Sequence, residues 1–145
     1  MSAVPDLDDA TLATWRAFLN AHARVTRAIS RDLAAAGLPD LSWYDVLWAL
    51  YRRPLRVKQL AESVVLSPTA MSRFVDRVER AGYVRRRADP HDRRALQITI
   101  TDEGRDLLRR MWPIYSRGIE EHFGGQSESF RAALERMGQP RERVE

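Results

Sequence analysis

Residues 66–101 read LSPTAMSRFVDRVERAGYVRRRADPHDRRALQITIT, and within this stretch the apolar period changes from 3.6 to 2. Ser67 is a helix N-cap, and Pro68 stands at the first helical position, where its missing N–H costs nothing. The helix it opens runs to Ala81 and stops at Gly82. Met71, Phe74 or Val75, and Val78 mark a core face; Thr69, Ser72, Arg73, Asp76, Arg77 and Arg80 mark an outer one. A strand is predicted over 83–88, and a second where Leu96, Ile98 and Ile100 alternate with Gln97 and Thr99. Between them Asp89-Pro90-His91-Asp92-Arg93-Arg94 is a polar, turn-rich tip. A helix followed at once by an antiparallel hairpin with a basic loop is thus expected.

Upstream, a short helix is predicted over 58–64 and another over 43–51, with Ser42 as its N-cap and its end before Pro54. Residues 7–36 hold no Gly or Pro, and apolar side chains recur from Leu12 and Trp15 through Leu19, Ala23 and Ile29 to Leu33. Gly37 ends that long helix and Pro39 prevents its restart. Downstream, Thr101 caps a helix extending toward His122, with a kink expected at Pro113. Gly124-Gly125 breaks it, and Ser127 or Ser129 starts a last helix ending near Met137, after which 138–145 is expected to fray.

Two short helices joined by a tight turn, the second followed by a hairpin, form a winged helix-turn-helix. The fold class read from the sequence is mainly α with a small β-hairpin wing, flanked by N- and C-terminal dimerisation helices. A single domain over 1–145 is expected, with the DNA-binding lobe at about 40–100 and dimerisation helices at about 7–36 and 102–137. The long stripes exceed what the small lobe can cover, so a second copy is expected to bury them in a two-fold homodimer.

Charge points the same way. The chain has 145 residues, a net charge of +4 and a pI near 10.1. Its positive charge concentrates in Arg73, Arg77, Arg80, Arg85, Arg86, Arg87, Arg93 and Arg94, while acidic residues gather toward both ends. That distribution suits a phosphate-binding surface with more neutral flanks. Cysteine is absent, which excludes disulfides, thiolate metal sites and thiol redox sensing. With no spanning apolar run and an acidic N-terminus, no membrane association and a cytoplasmic location are expected.

Leu60-Ala61-Glu62, Leu66 through Arg73, Val75 through Gly82, the tip Asp89 through Leu96 and the segment Ile100-Thr101-Asp102-Glu103-Gly104 resemble the multiple-antibiotic-resistance regulator (MarR) family of bacterial repressors. The Asp-Arg-Arg tip, followed by a strand ending in an apolar-Thr-x-x-Gly turn, is among the more specific signals of that family, and the resemblance spans nearly the whole chain. It implies that Ser67, Thr69, Ala70, Ser72, Arg73 and Arg77 face DNA from the recognition helix. It implies further that Arg94, next to Arg93, enters the minor groove and that the Asp92 carboxylate braces the tip. A family ligand, a small aromatic or phenolic molecule, would make Trp15, His22, Trp48, Trp112 and Tyr115 candidate pocket residues, with Asp45 and Arg16 as polar contacts. One departure is Val65 in the turn, where many helix-turn-helix sequences have glycine; a β-branched residue does not tolerate positive φ.

Each feature also has a plainer explanation. Arg73 and Arg77 could form a solvated face paired with Asp76 and Glu79, and the tryptophans could simply be core. A strand alternates, so Arg85, Arg86 and Arg87 cannot all face DNA, and Arg86 is expected to point away from its neighbours. His22, His91 and His122 are too widely spaced to suggest a metal site, and no nucleophile, paired carboxylates or cofactor motif suggests an enzyme. The function read from the sequence is a DNA-binding regulator, probing a pseudo-palindromic double-stranded operator and released from it by an effector, with no cofactor. The competing readings are a winged-helix protein-interaction module and a metal-responsive regulator.

Overall fold

Asp8 opens the first helix, its carboxylate accepting the Thr11 backbone N–H at 2.8 Å and the Thr11 hydroxyl at 2.6 Å. The helix, α1, spans Asp9–Ala35 in a computed structural model that describes residues 6–64 and 66–137. At its end Gly37 takes φ 71°, the Leu38 N–H reaches back to the Leu33 carbonyl at 2.9 Å, and the chain turns as the sequence requires. The start of α2 differs from the expectation: the cap is Asp40, not Ser42, and the helix spans Leu41–Arg52. The Asp40 carboxylate accepts the Ser42 N–H at 2.9 Å and also its hydroxyl, so Ser42 sits inside the first turn as a donor.

Leu55 pairs with Ile98 through two backbone hydrogen bonds of 3.2 and 2.8 Å, fixing the linker to the later hairpin. Next, α3 spans Val57–Ser63, where Gln59 returns its side-chain oxygen to the Arg56 N–H at 3.0 Å. The recognition-helix candidate α4 spans Pro68–Arg80 and begins as read, with Ser67 Oγ accepting the Ala70 N–H at 3.2 Å. The turn at Val65 lies outside the described residues, as do 138–145 and Met1 to Pro5.

The hairpin consists of β1, Val84–Asp89, and β2, Asp92–Ile100, antiparallel. Its tip is tighter than the expected six-residue loop, because only Pro90 and His91 turn. Asp89 pairs with Asp92 while Ala88 pairs with Leu96, leaving Arg93, Arg94 and Ala95 without partners on β1, as a bulge.

Thr101 joins wing to helix. Its hydroxyl donates to the Gly82 carbonyl at 2.7 Å and accepts the Gly104 N–H at 3.1 Å, capping α5, Asp102–Phe123. Gly104 is demanded by contact: a Cβ there would collide with the Tyr83 carbonyl oxygen and lie 2.8 Å from Ile100 Cγ1. As expected, α5 continues through Pro113 toward His122 as one helix. Gly118 lets α5 approach α1, where a Cβ would sit 2.7 Å from Ile29 Cγ1. Ser127, rather than Ser129, starts α6, Glu128–Met137.

One core joins these elements: Ile29 and Leu33 of α1; Val46, Leu47 and Leu50 of α2; Leu60 of α3; Met71, Val75 and Val78 of α4; Ile98; and Leu107 and Met111 of α5 are all nearly or fully buried. Each such aliphatic side chain contributes roughly 1.5–3 kcal/mol. The N-terminal part of α1 and all of α6 contribute nothing to it. Trp15, Phe18, Leu19, Phe123, Phe130 and Met137 remain exposed.

Candidate nucleic-acid interface

The core face of α4 is settled by burial of Met71, Phe74, Val75 and Val78, which leaves Ser67, Thr69, Ala70, Arg73 and Arg77 on the surface and Ser72 half-buried. Phe74 and Val75 are both core. Of the two acidic residues expected to compete for these arginines, neither is free to do so. Arg86 of β1 points back at the helix, donating through Nη2 to Asp76 at 2.6 Å and through Nη1 to Glu79 at 2.8 Å. Its Nη2 also approaches the Ser72 carbonyl at 3.2 Å, and its backbone N–H binds the other Glu79 oxygen at 2.8 Å. The two carboxylates raise the basicity of this guanidinium against the opposing cost of its desolvation, the largest single influence on it.

Arg73 and Arg77 have no acidic partner within ion-pair distance among the described residues; the Arg77 guanidinium lies 5.0 Å from the Phe74 ring centroid. Arg85 and Arg87 are exposed on the side of the strand opposite Arg86, the alternation the sequence predicted.

At the wing tip, Asp92 accepts the Arg94 backbone N–H at 3.0 Å, so the brace acts on the main chain of the bulge. Arg93 and Arg94 project from that bulge as exposed side chains. The deeper anchor escaped the sequence reading. Asp89 is 4% exposed and accepts the His91 N–H at 2.8 Å, together with Arg56 Nε at 2.9 Å and Nη2 at 2.7 Å. The His91 N–H first, then Arg56, hold its carboxyl below the ordinary 3.8. Arg56 is 33 residues away, and an Asp before a Pro at a hairpin tip reads as an ordinary turn residue.

The aromatic candidates divide. Trp48, Trp112 and Tyr115 gather around Tyr44, with ring centroids 6.4, 6.1 and 4.5 Å from it, and Tyr51 stacks on Trp48 at 5.7 Å. They line a cleft of about 610 Å³ between α2 and α5, edged by Asp45, Arg105 and Arg109. Arg105 stands 5.1 Å from the Tyr51 ring centroid. Desolvation raises the Tyr44 and Tyr115 phenols, which stay protonated at neutral pH, and it raises the Asp45 carboxyl, helped by the charge of Asp40. Trp15 and His22 lie elsewhere: Trp15 stacks on Phe18 of its own helix, His22 is exposed on α1, and Arg16 is on that same uncovered stretch. Tyr44 and Tyr51 went unselected, although 44, 48 and 51 form a visible i, i+4, i+7 stripe.

Asp32, Glu121 and His122 are the one set among the described residues whose ligand atoms come within 4.8 Å of one another. The set is at the surface, and His122 Nε2 stands 3.7 Å from Asp32 Oδ2. His22 and His91 are not part of it.

Comparison with known proteins matches the MarR family model to residues 36–95. The chain is 30% identical over 114 residues to the uncharacterized HTH-type transcriptional regulator YkoM of Bacillus subtilis, covering 78% of this chain and 73% of that one. It is 27% identical over 122 residues to the HTH-type transcriptional regulator PecS of Dickeya dadantii, covering 81% and 69%. Among solved structures, AbsC, a MarR family transcriptional regulator from Streptomyces coelicolor, superposes with a TM-score of 0.83 at 26% identity, covering 94% of this chain and 95% of that one. Sco3205 from the same organism, solved in complex with DNA, gives 0.80 at 27% identity, covering 94% and 88%.

Proposed function

This chain belongs to the MarR family of transcriptional regulators, and from that premise we propose that it binds a pseudo-palindromic DNA operator as a homodimer and represses by occupying it. The observation that carries the proposal is the pair of arginines on α4, Arg73 and Arg77, left without acidic partners while Arg86 takes both nearby carboxylates. Ser67, Thr69, Ala70, Ser72, Arg73 and Arg77 read the major groove, where short polar side chains and arginines meet base edges. Arg93 and Arg94 reach from the bulge toward the minor groove, whose narrow form attracts arginine, and Asp92 sets the backbone that carries them. The lobe at about 40–100 binds DNA, while 7–36 and 102–137 pair with a second copy, bringing two recognition helices to half-sites one DNA turn (~10 bp) apart. The solved relative in complex with DNA supports this reading.

Selection of duplexes from a random library, followed by fluorescence anisotropy across a salt series, tests it. Wild type is expected to enrich a two-fold-symmetric site and to bind it with steep salt dependence. Arg94→Ala should weaken binding roughly tenfold. Enrichment of no sequence would remove the reading and favour a protein-interaction module.

The aromatic cleft supports a second element: release of DNA by a small aromatic or phenolic ligand seated between α2 and α5. Rings of Trp48, Trp112 and Tyr115 would stack on it, and Arg105 or Arg109 would meet an acidic substituent. Such a ligand acts by favouring one spacing of the recognition helices over another. Phenolic acids titrated against the DNA complex should lower its anisotropy; unchanged affinity throughout the series would dismiss the effector.

A further inference from the structure

The Arg86 cluster does more than tie a wing to a helix. Asp76 is three residues from Arg73 and four from Arg80, the spacings at which helical side chains pair. Without another partner, an exposed Asp76 would draw Arg73 toward itself and add negative charge to the face that approaches phosphate. Arg86 occupies that carboxylate at 2.6 Å and Glu79 at 2.8 Å, from a strand position where its own side chain is only 19% exposed. The planar guanidinium fork, which a lysine cannot reproduce, serves both carboxylates at once.

We propose that Arg86 is a positioning residue for DNA recognition: held by Glu79, it sequesters Asp76 and so keeps Arg73 available to the groove. This rests on the DNA-binding reading above. Its distinguishing consequence is that part of Arg86's contribution is electrostatic and acts through Asp76, and can therefore be restored without rebuilding the clamp.

The experiment is a double-mutant cycle of Arg86→Gln and Asp76→Asn, read by anisotropy on the duplex that wild type selects, with Tm measured in parallel. Arg86→Gln is expected to weaken binding roughly tenfold, the loss of about one arginine contact, and to reduce the salt slope by about one. Asp76→Asn alone is expected to bind at least as tightly as wild type. The double variant should recover to within about threefold of wild type, although its Arg86 fork is gone. A purely structural clamp predicts the reverse: both single variants weaken binding and the double is no better than Arg86→Gln. That result, or an Arg86→Gln protein with wild-type affinity, overturns the proposal while leaving DNA binding intact. A wild type that selects no duplex removes both together. If Arg86→Gln does not fold, Arg86→Lys takes its place in the same cycle, since one ammonium cannot hold both carboxylates.

Discussion

The fourth helix and the first are built from similar ingredients, arginines and apolar residues at helical spacing, but the chain completes them to different degrees. Over its 13 residues α4 buries Met71, Phe74, Val75 and Val78 and exposes no large apolar side chain. Over its 27 residues α1 buries only Ala28, Ile29 and Leu33, all toward its C-terminal end, while Trp15, Phe18 and Leu19 stay in solvent. The lobe finds its partners within the chain. The N-terminal part of α1, with Phe123, Phe130 and Met137 near the other end, finds none among the described residues, and an apolar face of that extent is costly to leave wet.

The largest effect follows from breaking that outer contact. Phe18→Glu with Leu19→Arg puts two charges where a second copy would pack. Light scattering should then show the 16.7 kDa chain as a monomer, where wild type runs at twice that mass. Because one half-site then binds without its tethered neighbour, operator affinity should fall by about a hundredfold. The lobe itself should unfold as before. A variant that stayed dimeric would place the interface on another surface and remove the basis of the contrast.

A smaller loss tests the finished side. Gly104→Ala drives a methyl into the Tyr83 carbonyl and Ile100 at the junction of wing and α5. Overpacking of this kind costs about 2–3 kcal/mol, partly offset by the better helix propensity of alanine. Urea denaturation should show a lower midpoint with an unchanged m-value. No change in midpoint would mean that the wing base yields, so that the lobe is less rigid than its contacts imply.

How far the sequence could be read follows the same division. The helix start at Ser67-Pro68, the change of period at Gly82 and the Thr101 cap are local signals, each set by a few neighbouring residues, and each reappears in the fold. Arg86 was legible as the odd member of its strand because alternation is local too. The bulge at 93–95 was not, since a register slip depends on which residues pair across the hairpin. Asp89 was missed because its partner is 33 positions away, and the Asp40 cap because Ser42 offered an equally good local signal two residues later. Trp48, Trp112 and Tyr115 come together, whereas Trp15 and His22 lie apart from them on α1.

The smallest effect is the sharpest in sign. Asp89 in the wing and Asp45 at the cleft start from the same ordinary value of 3.8 and are shifted in opposite directions. In Asp89 the His91 N–H and Arg56 favour the charged form, so its folded pKa lies below 3.8. Its stabilisation is complete above that value and is lost as pH falls through the folded pKa. In Asp45 desolvation disfavours the charge and its folded pKa lies above 3.8, so folding is relatively favoured below 3.8 and that advantage is lost as pH rises through the folded pKa. Thermal unfolding followed on both sides of the shared ordinary value of 3.8 separates the two. Relative to wild type, Asp89→Asn should be most damaging at the upper end and converge with it in acid. Asp45→Asn should be equal to wild type in acid and gain on it as pH rises. Parallel curves for the two variants would mean that wing and cleft sit in the same electrostatic environment, and the distinction between a region closed by ion pairs and one closed by apolar contact would fail at the two carboxylates that mark it.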